Sequence, residues 1–235
     1  MIYMILRLIF NPKITIMKKS LIVIVLLIGG YVNAFSQTEK RINLYYGYVF
    51  DDSFDSYYDP YNYYNGKIMG SGQYGAGLEF MLRPDYGIEL LWFGQNTTAP
   101  TYYLSEGYFV NEKYTEFDLN VNYALLGFTR HMMAPSEKAE AYAGLMLGMA
   151  FSNVENPDNG TSSNAEKFSW GARLGVNIWA SDRVGIKLQT QILSVVQAVG
   201  GSLYFGTGGS GAGVSTYSSF LQFGLGGGLT FRLGK

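Results

Sequence analysis

One histidine stands in 235 residues, and it bounds the acid–base chemistry open to this chain. His131 lies in HMMAP beside a turn signal, and no Ser and Asp arrangement of the kind that makes a His a catalytic base is evident around it. The plain reading is a turn or interfacial His. There is no Cys, which excludes a disulfide framework, a thiolate metal site, a Cys nucleophile and a lipidated N-terminal Cys. GSGQYG at 70–75 matches the dinucleotide fingerprint, but that motif needs a following helix to present its amides, and here the alternating run AGLEFML follows. GTGGSGAG at 206–213 lacks the Lys of a phosphate loop and reads as a flexible external loop. DDSFDSYYDPYNYYNG, from Asp51, offers four Asp, without the Gly turn and terminal Glu of a calcium loop. The plain reading is a solvated loop with no dedicated ligand; its Tyr density makes contact with a protein or glycan the alternative, ahead of a metal site. No catalytic, cofactor-binding or metal-binding residue is therefore expected.

The remaining chemistry is charge, and its meaning depends on the elements that carry it. Alternating segments predict strands near 41–50, 72–82, 86–95, 115–131, 139–152, 167–180, 183–197 and 217–233. Three connections are short and rich in turn residues: Arg83-Pro84-Asp85, Ala134 to Lys138, and Ser181-Asp182. The other four, 51–71, 96–114, 153–166 and 198–216, are long. Strict alternation of short and long puts all the turns at one end of the sheet, as in transmembrane barrels with tight periplasmic turns and long external loops.

Which row of side chains faces inward follows from size. Gly75, Gly77, Gly144, Gly148, Gly171, Gly175, Gly224, Gly226 and Gly228 share the polar rows, and a narrow eight-stranded barrel needs small residues inside. The opposite rows are large and uncharged, for example Tyr74, Ala76, Leu78 and Phe80, or Val184, Ile186 and Leu188. Aromatics near the long loops (Tyr48, Trp92, Phe117, Phe151, Trp170, Tyr217) and near the turns (Phe80, Tyr86, Phe231) suit two membrane interfaces. In EFDLNVNYALL, at 116–126, this logic sends Phe117, Leu119, Val121, Tyr123 and Leu125 to lipid. Simple parity then puts Phe128 and Trp179 in the lumen, which predicts a bulge after Leu125 and a strand end before Trp179.

The N-terminal run MKKSLIVIVLLIGG, from Met17, reads as a signal peptide, with cleavage after Ala34 or Ser36. The expected organisation is a leader over 1–36, with Met17 its true start, and a barrel domain over 37–235. Losing the leader removes four of the seventeen basic residues and none of the eighteen acidic ones, so nucleic acid is an unlikely partner.

With export signal, eight strands, long loops and inward Gly, the chain resembles the small outer-membrane β-barrels of the OmpA and OmpX type. The resemblance implies an all-β, eight-stranded antiparallel up-and-down transmembrane barrel in the Gram-negative outer membrane, in contact with outer-membrane lipid. The closing GLTFRLGK is similar to the family's signal for the barrel assembly machinery, although four residues follow Phe231. Enzymes of this architecture use a His near the external rim; His131 belongs to the turn end. The expected function is non-enzymatic, with loops presented for envelope integrity, adhesion or a membrane-protein complex. A conduit for small or hydrophobic molecules is the alternative, a lipid-modifying enzyme is less favoured, and a soluble lipocalin-type barrel would invert every face.

Parity brings Glu79, Glu89, Glu116, Asp118 and Glu140 to the lumen against Arg41, Arg130, Arg173, Lys187 and Arg232. Confined charges must pair, because desolvating one alone costs several kcal/mol. The network expected to plug the lumen is Glu79, Glu89, Asp118, Arg173, Lys187 and Arg232. Glu89 is expected to pair with Lys187 across the lumen, with Glu79 and Arg232 close enough to join. Arg41 and Arg130 suit the wet rim.

Overall fold

Side chains alternate across a strand, so a sheet that closes on itself sorts each strand into an inward and an outward row. The computed structural model describes residues 39–57, 63–104, 112–135, 138–196, 202–206, 209–213 and 220–233. The expected leader, its cleavage points and Tyr217 lie outside them. The described strands are β1 (Lys40–Val49), β2 (Asp52–Tyr57), β3 (Tyr63–Ile68), β4 (Ser71–Arg83), β5 (Tyr86–Leu104), β6 (Glu112–Met133), β7 (Ala139–Asn156), β8 (Thr161–Trp179), β9 (Val184–Val196), β10 (Ser202–Gly206), β11 (Gly209–Gly213) and β12 (Phe220–Leu233). Eight of them, β1, β4, β5, β6, β7, β8, β9 and β12, form an antiparallel ring. The last strand closes on the first from Lys40↔Leu233 to Val49↔Gly224, so the ring has no unpaired edge.

The turn end is built as expected. Ala134 N–H donates to Ala139 O at 2.8 Å, and Ala180 N–H to Val184 O at 3.0 Å, while the Ser181 hydroxyl accepts from Val184 N–H at 3.1 Å. At the other end the expected long loops are largely strand. β5 and β6 stay paired out to Leu104↔Glu112, and β7 and β8 out to Asn156↔Thr161. The β7–β8 tip is a tight turn: Gly160 takes φ 67°, a left-handed conformation that suits Gly, and its N–H reaches Asn156 O at 2.8 Å. In the first connection, β2 and β3 form a hairpin whose second strand joins β5 at Tyr64↔Tyr103. The Gly-rich 206–213 stretch, expected to be loop, contributes β11 to a two-stranded hairpin with β10. Residues 71–75 of the GSGQYG motif are already in β4.

A predominantly apolar outward band surrounds the ring. It includes Leu44, Leu78, Leu90, Leu126, Leu145, Leu174, Ile186 and Leu225, all exposed, with Tyr48, Trp92, Phe151 and Trp170 towards the ribbon end and Tyr86 towards the turns. Exposed apolar surface on this scale is unsuited to water. β6 corrects the expected facing. Phe117, Leu119, Val121, Tyr123 and Leu125 are buried in the interior, and Glu116 and Asp118 are exposed. Phe128 accordingly points outward without a bulge, and Phe117 belongs to no belt. The reason is height: Asn122 pairs with Phe151 of the outer aromatic belt, so Glu116, Asp118 and Asn120 lie on the ribbon beyond it, where the outward face meets water. Trp179 does lie inward, as parity gave, but β8 runs to it without ending early.

Candidate functional site

The interior has two layers. Towards the ribbons it is apolar: Phe93, Phe117, Tyr123, Met146, Leu193 and Val195, with their neighbours, form one buried cluster. Polar side chains in this half bond to one another, as Gln191 Nε2 does to Gln73 Oε1 at 2.5 Å and Tyr123 OH to Gln222 at 3.2 Å. A cavity beside Gln73, Gln189 and Gln191 measures about 10 Å³, room for one water.

Towards the turns the interior is ionic. Glu79 and Glu89 are direct cross-strand partners on β4 and β5, both fully buried, an arrangement that like charges disfavour unless cations intervene. They do. Arg173 Nη2 donates to Glu89 Oε2 at 2.5 Å and to the Thr129 hydroxyl at 2.6 Å, and Asn43 Nδ2 sits between the carboxylates at 2.6 Å from Glu89 and 3.3 Å from Glu79. The Tyr45 hydroxyl donates to Glu89 at 2.7 Å and accepts from Arg173 Nη1 at 3.1 Å.

His131 joins this set to a second one. Its Nε2 lies 2.8 Å from Glu79 Oε1 and its Nδ1 2.7 Å from Glu140 Oε1. An ionised carboxylate only accepts hydrogen bonds, so an imidazole held by two of them carries a proton on each nitrogen. Glu140 also accepts from Arg41 Nη1 and Nη2, at 2.5 and 3.1 Å, and from Asn177 at 2.8 Å. Arg41 further meets Glu39 at 2.6 Å, and Arg232 closes the turn end over the Trp179 ring at 3.5 Å, with Glu39 at 3.1 Å.

The expected residues thus fall out as follows. Glu79, Glu89, Arg173 and Lys187 are buried together, and Arg232 is a half-buried rim residue. Asp118 is not in the lumen: the reversed facing of β6 puts it on the wet outside of the ribbon. Arg173, rather than Lys187, pairs with Glu89, and His131 meets Glu79. Lys187 lies 4.5 Å over the Tyr142 ring and 5.4 Å from that of Tyr45, a cation–π seat in place of an ion pair. Arg41 is buried, not at the rim, whereas Arg130 is outside beside Tyr86. His131, Asn43, Tyr45, Tyr142 and Asn177 were not among the residues expected there.

Inward glycines make room for these groups. A Cβ on Gly77 would lie 2.0 Å from Glu89 Oε1, and one on Gly175 2.5 Å from the Tyr142 ring. Gly77→Ala is therefore expected to displace the Glu89 carboxylate from Arg173 and to cost about 1–3 kcal/mol, read as a lower urea midpoint of the vesicle-inserted barrel. Unchanged stability would mean that the carboxylate has slack the contacts do not suggest.

By sequence the chain matches no protein-family model and no curated protein. By structure it is similar to neisserial surface protein A (NspA), with TM-score 0.51 at 10% identity over 84% of this chain and 98% of that one. It is similar as well to the outer membrane protein OprG from Pseudomonas aeruginosa, with TM-score 0.52 at 11% identity over 84% of this chain and 97% of that one. The chain has the fold of the small eight-stranded outer-membrane barrels. An apolar band around a closed antiparallel ring, with tight turns at one end and ribbons at the other, places this barrel across a membrane. The ionic layer lies in the turn-side half and the apolar layer in the ribbon-side half.

Proposed function

We propose that this chain is a non-enzymatic outer-membrane protein whose sealed barrel holds β-ribbons at the cell surface for adhesion, envelope integrity or a complex with other membrane proteins. The observation that carries the proposal is the two-layer lumen, with apolar side chains filling one half and mutually paired charges the other. A conduit would need both layers to part. Catalysis by His131 would need a ring nitrogen available to a substrate, and both face carboxylates.

The first external hairpin is the reading's contact surface. Two of its Asp already have structural tasks: Asp51 pairs with Lys67 and accepts from Gly70 N–H at 2.6 Å, and Asp52 accepts from Leu221 N–H at 2.9 Å. The Lys67 hydrogen bond, with that of Gly70, holds the Asp51 carboxyl below its usual range. Deleting 52–65 is expected to leave heat-modifiable migration intact and to reduce adhesion of expressing cells to protein- or glycan-coated surfaces by about tenfold, roughly 1.4 kcal/mol of contact energy. Adhesion at the full level after the deletion would remove the recognition reading.

A further inference from the structure

The outer wall between β5 and β8 is not uniformly raised. A groove of about 950 Å³ opens there, and its floor and walls are almost wholly apolar. The register explains it. In one outward row Tyr86, Arg130, Ala143 and Leu174 lie side by side; in the next towards the ribbons, Ile88, Phe128, Leu145 and Ala172. Ala143 and Ala172 are therefore diagonal neighbours, and their short side chains make a depressed track between Leu145 and Leu174. Those two are 61% and 59% exposed, the highest of the exposed leucines, and they stand as ridges on either side. Diagonal cross-strand positions are about 7–8 Å apart, which is wide enough for one hydrocarbon chain between the ridges.

The track begins at a charge. Arg130 is exposed, lies 5.6 Å from the Tyr86 ring, and among the described residues no carboxylate pairs with it. It stands at the level of the periplasmic aromatic belt, where lipid phosphates lie. We infer that this groove is a binding site for an anionic phospholipid of the inner leaflet, with its phosphate on Arg130 and one acyl chain along the Ala143–Ala172 track. The charge decides the class of occupant, because a purely apolar partner would leave Arg130 unmatched. The width argues against a protein, since a stable protein interface buries well over 1,000 Å² and this track admits a single chain. Arg130 supplies the planar donors that suit a phosphodiester. The inference rests on the membrane placement and is independent of whether the lumen is sealed.

The test uses the full mature chain in detergent, with dioleoyl-phosphatidylglycerol and dioleoyl-phosphatidylethanolamine as probes and native mass spectrometry as the readout. Wild type is expected to retain one phosphatidylglycerol with about tenfold preference over phosphatidylethanolamine, whose phosphate is equally available to Arg130 but whose ammonium cancels the net charge that the guanidinium attracts. Arg130→Gln is expected to abolish the preference, and Ala172→Phe to reduce retention of both lipids by obstructing the track. Heat-modifiable migration of each variant reports folding independently of lipid. Equal retention of the two lipids by wild type, or an unchanged preference in Arg130→Gln, would overturn the site as ordinary boundary lipid. Dimers that exclude lipid from the groove would overturn it in favour of a second copy of the chain.

Discussion

Arg173→Ala is expected to destabilise the folded barrel by about 3–5 kcal/mol, because it leaves the Glu89 carboxylate buried without its cation. The position cannot be rescued cheaply. Glu89 is fully buried, its cross-strand neighbour is the equally buried Glu79, and Lys187 is seated over Tyr142, with the Tyr45 hydroxyl between it and Glu89. Arg173→Lys is expected to recover only part of the loss, since one ammonium cannot reproduce the separate contacts of Nη1 to Tyr45 and Nη2 to Glu89 and Thr129. The double change Arg173→Met with Glu89→Gln is expected to be milder than Arg173→Ala alone, because it removes the uncompensated charge with its partner. Urea titration of barrels inserted in vesicles, followed by gel migration, measures all three. A loss below about 1 kcal/mol for Arg173→Ala would mean that Glu89 is solvated, as only an open lumen allows.

Val121→Asp is expected to prevent assembly or to cost at least about 3 kcal/mol, whereas Asp118→Ala, three residues away, is expected to change stability by less than about 0.5 kcal/mol. The contrast follows from the facing of β6. Val121 is buried in the cluster with Phe117, Leu119 and Tyr123, and a carboxylate there meets no cation; Asp118 is exposed on the ribbon. If the apolar row of this strand faced lipid, Asp118 would be the buried residue of the pair and Asp118→Ala would carry a large loss, while Val121→Asp would still be penalised by the bilayer. Refolding yield into vesicles, followed by the same urea titration, distinguishes the outcomes.

The number of ring strands, the alternation of turns with longer connections and the inward placement of Gly77, Gly144 and Gly175 were all legible, because each rests on a local rule of period or size. The facing of β6 was not. Asp118, Asn120 and Asn122 make a polar row, and a polar row reads as lumen only within the membrane; above it the same row faces water. Strand period carries no information on height. For the same reason the expected strands 86–95 and 139–152 stop short of a ladder that continues to Leu104↔Glu112 and Asn156↔Thr161.

The charged layer was legible as a set but not as pairs. Glu79, Glu89, Arg173 and Lys187 share the inward rows, but which cation reaches which carboxylate depends on side-chain length across the ring. There Arg173 reaches Glu89, and Lys187 settles on an aromatic face. His131 was hidden behind the β6 error: with the odd row turned inward it follows Leu125 and Thr129 into the lumen, diagonal to Glu140 across the β6–β7 hairpin. Tyr45 and Asn43 had a clearer signal, since they stand with Arg41 on the polar row of β1.

A sealed lumen is tested most directly by planar-bilayer recording of the full mature chain. The apolar cluster above and the paired charges below predict little or no steady conductance for wild type, and Lys187→Ala, which removes a cation over Tyr142 without breaking an ion pair, is expected to remain closed as well. Large, stable open channels in the unmodified protein would contradict the sealed barrel and make the chain a conduit.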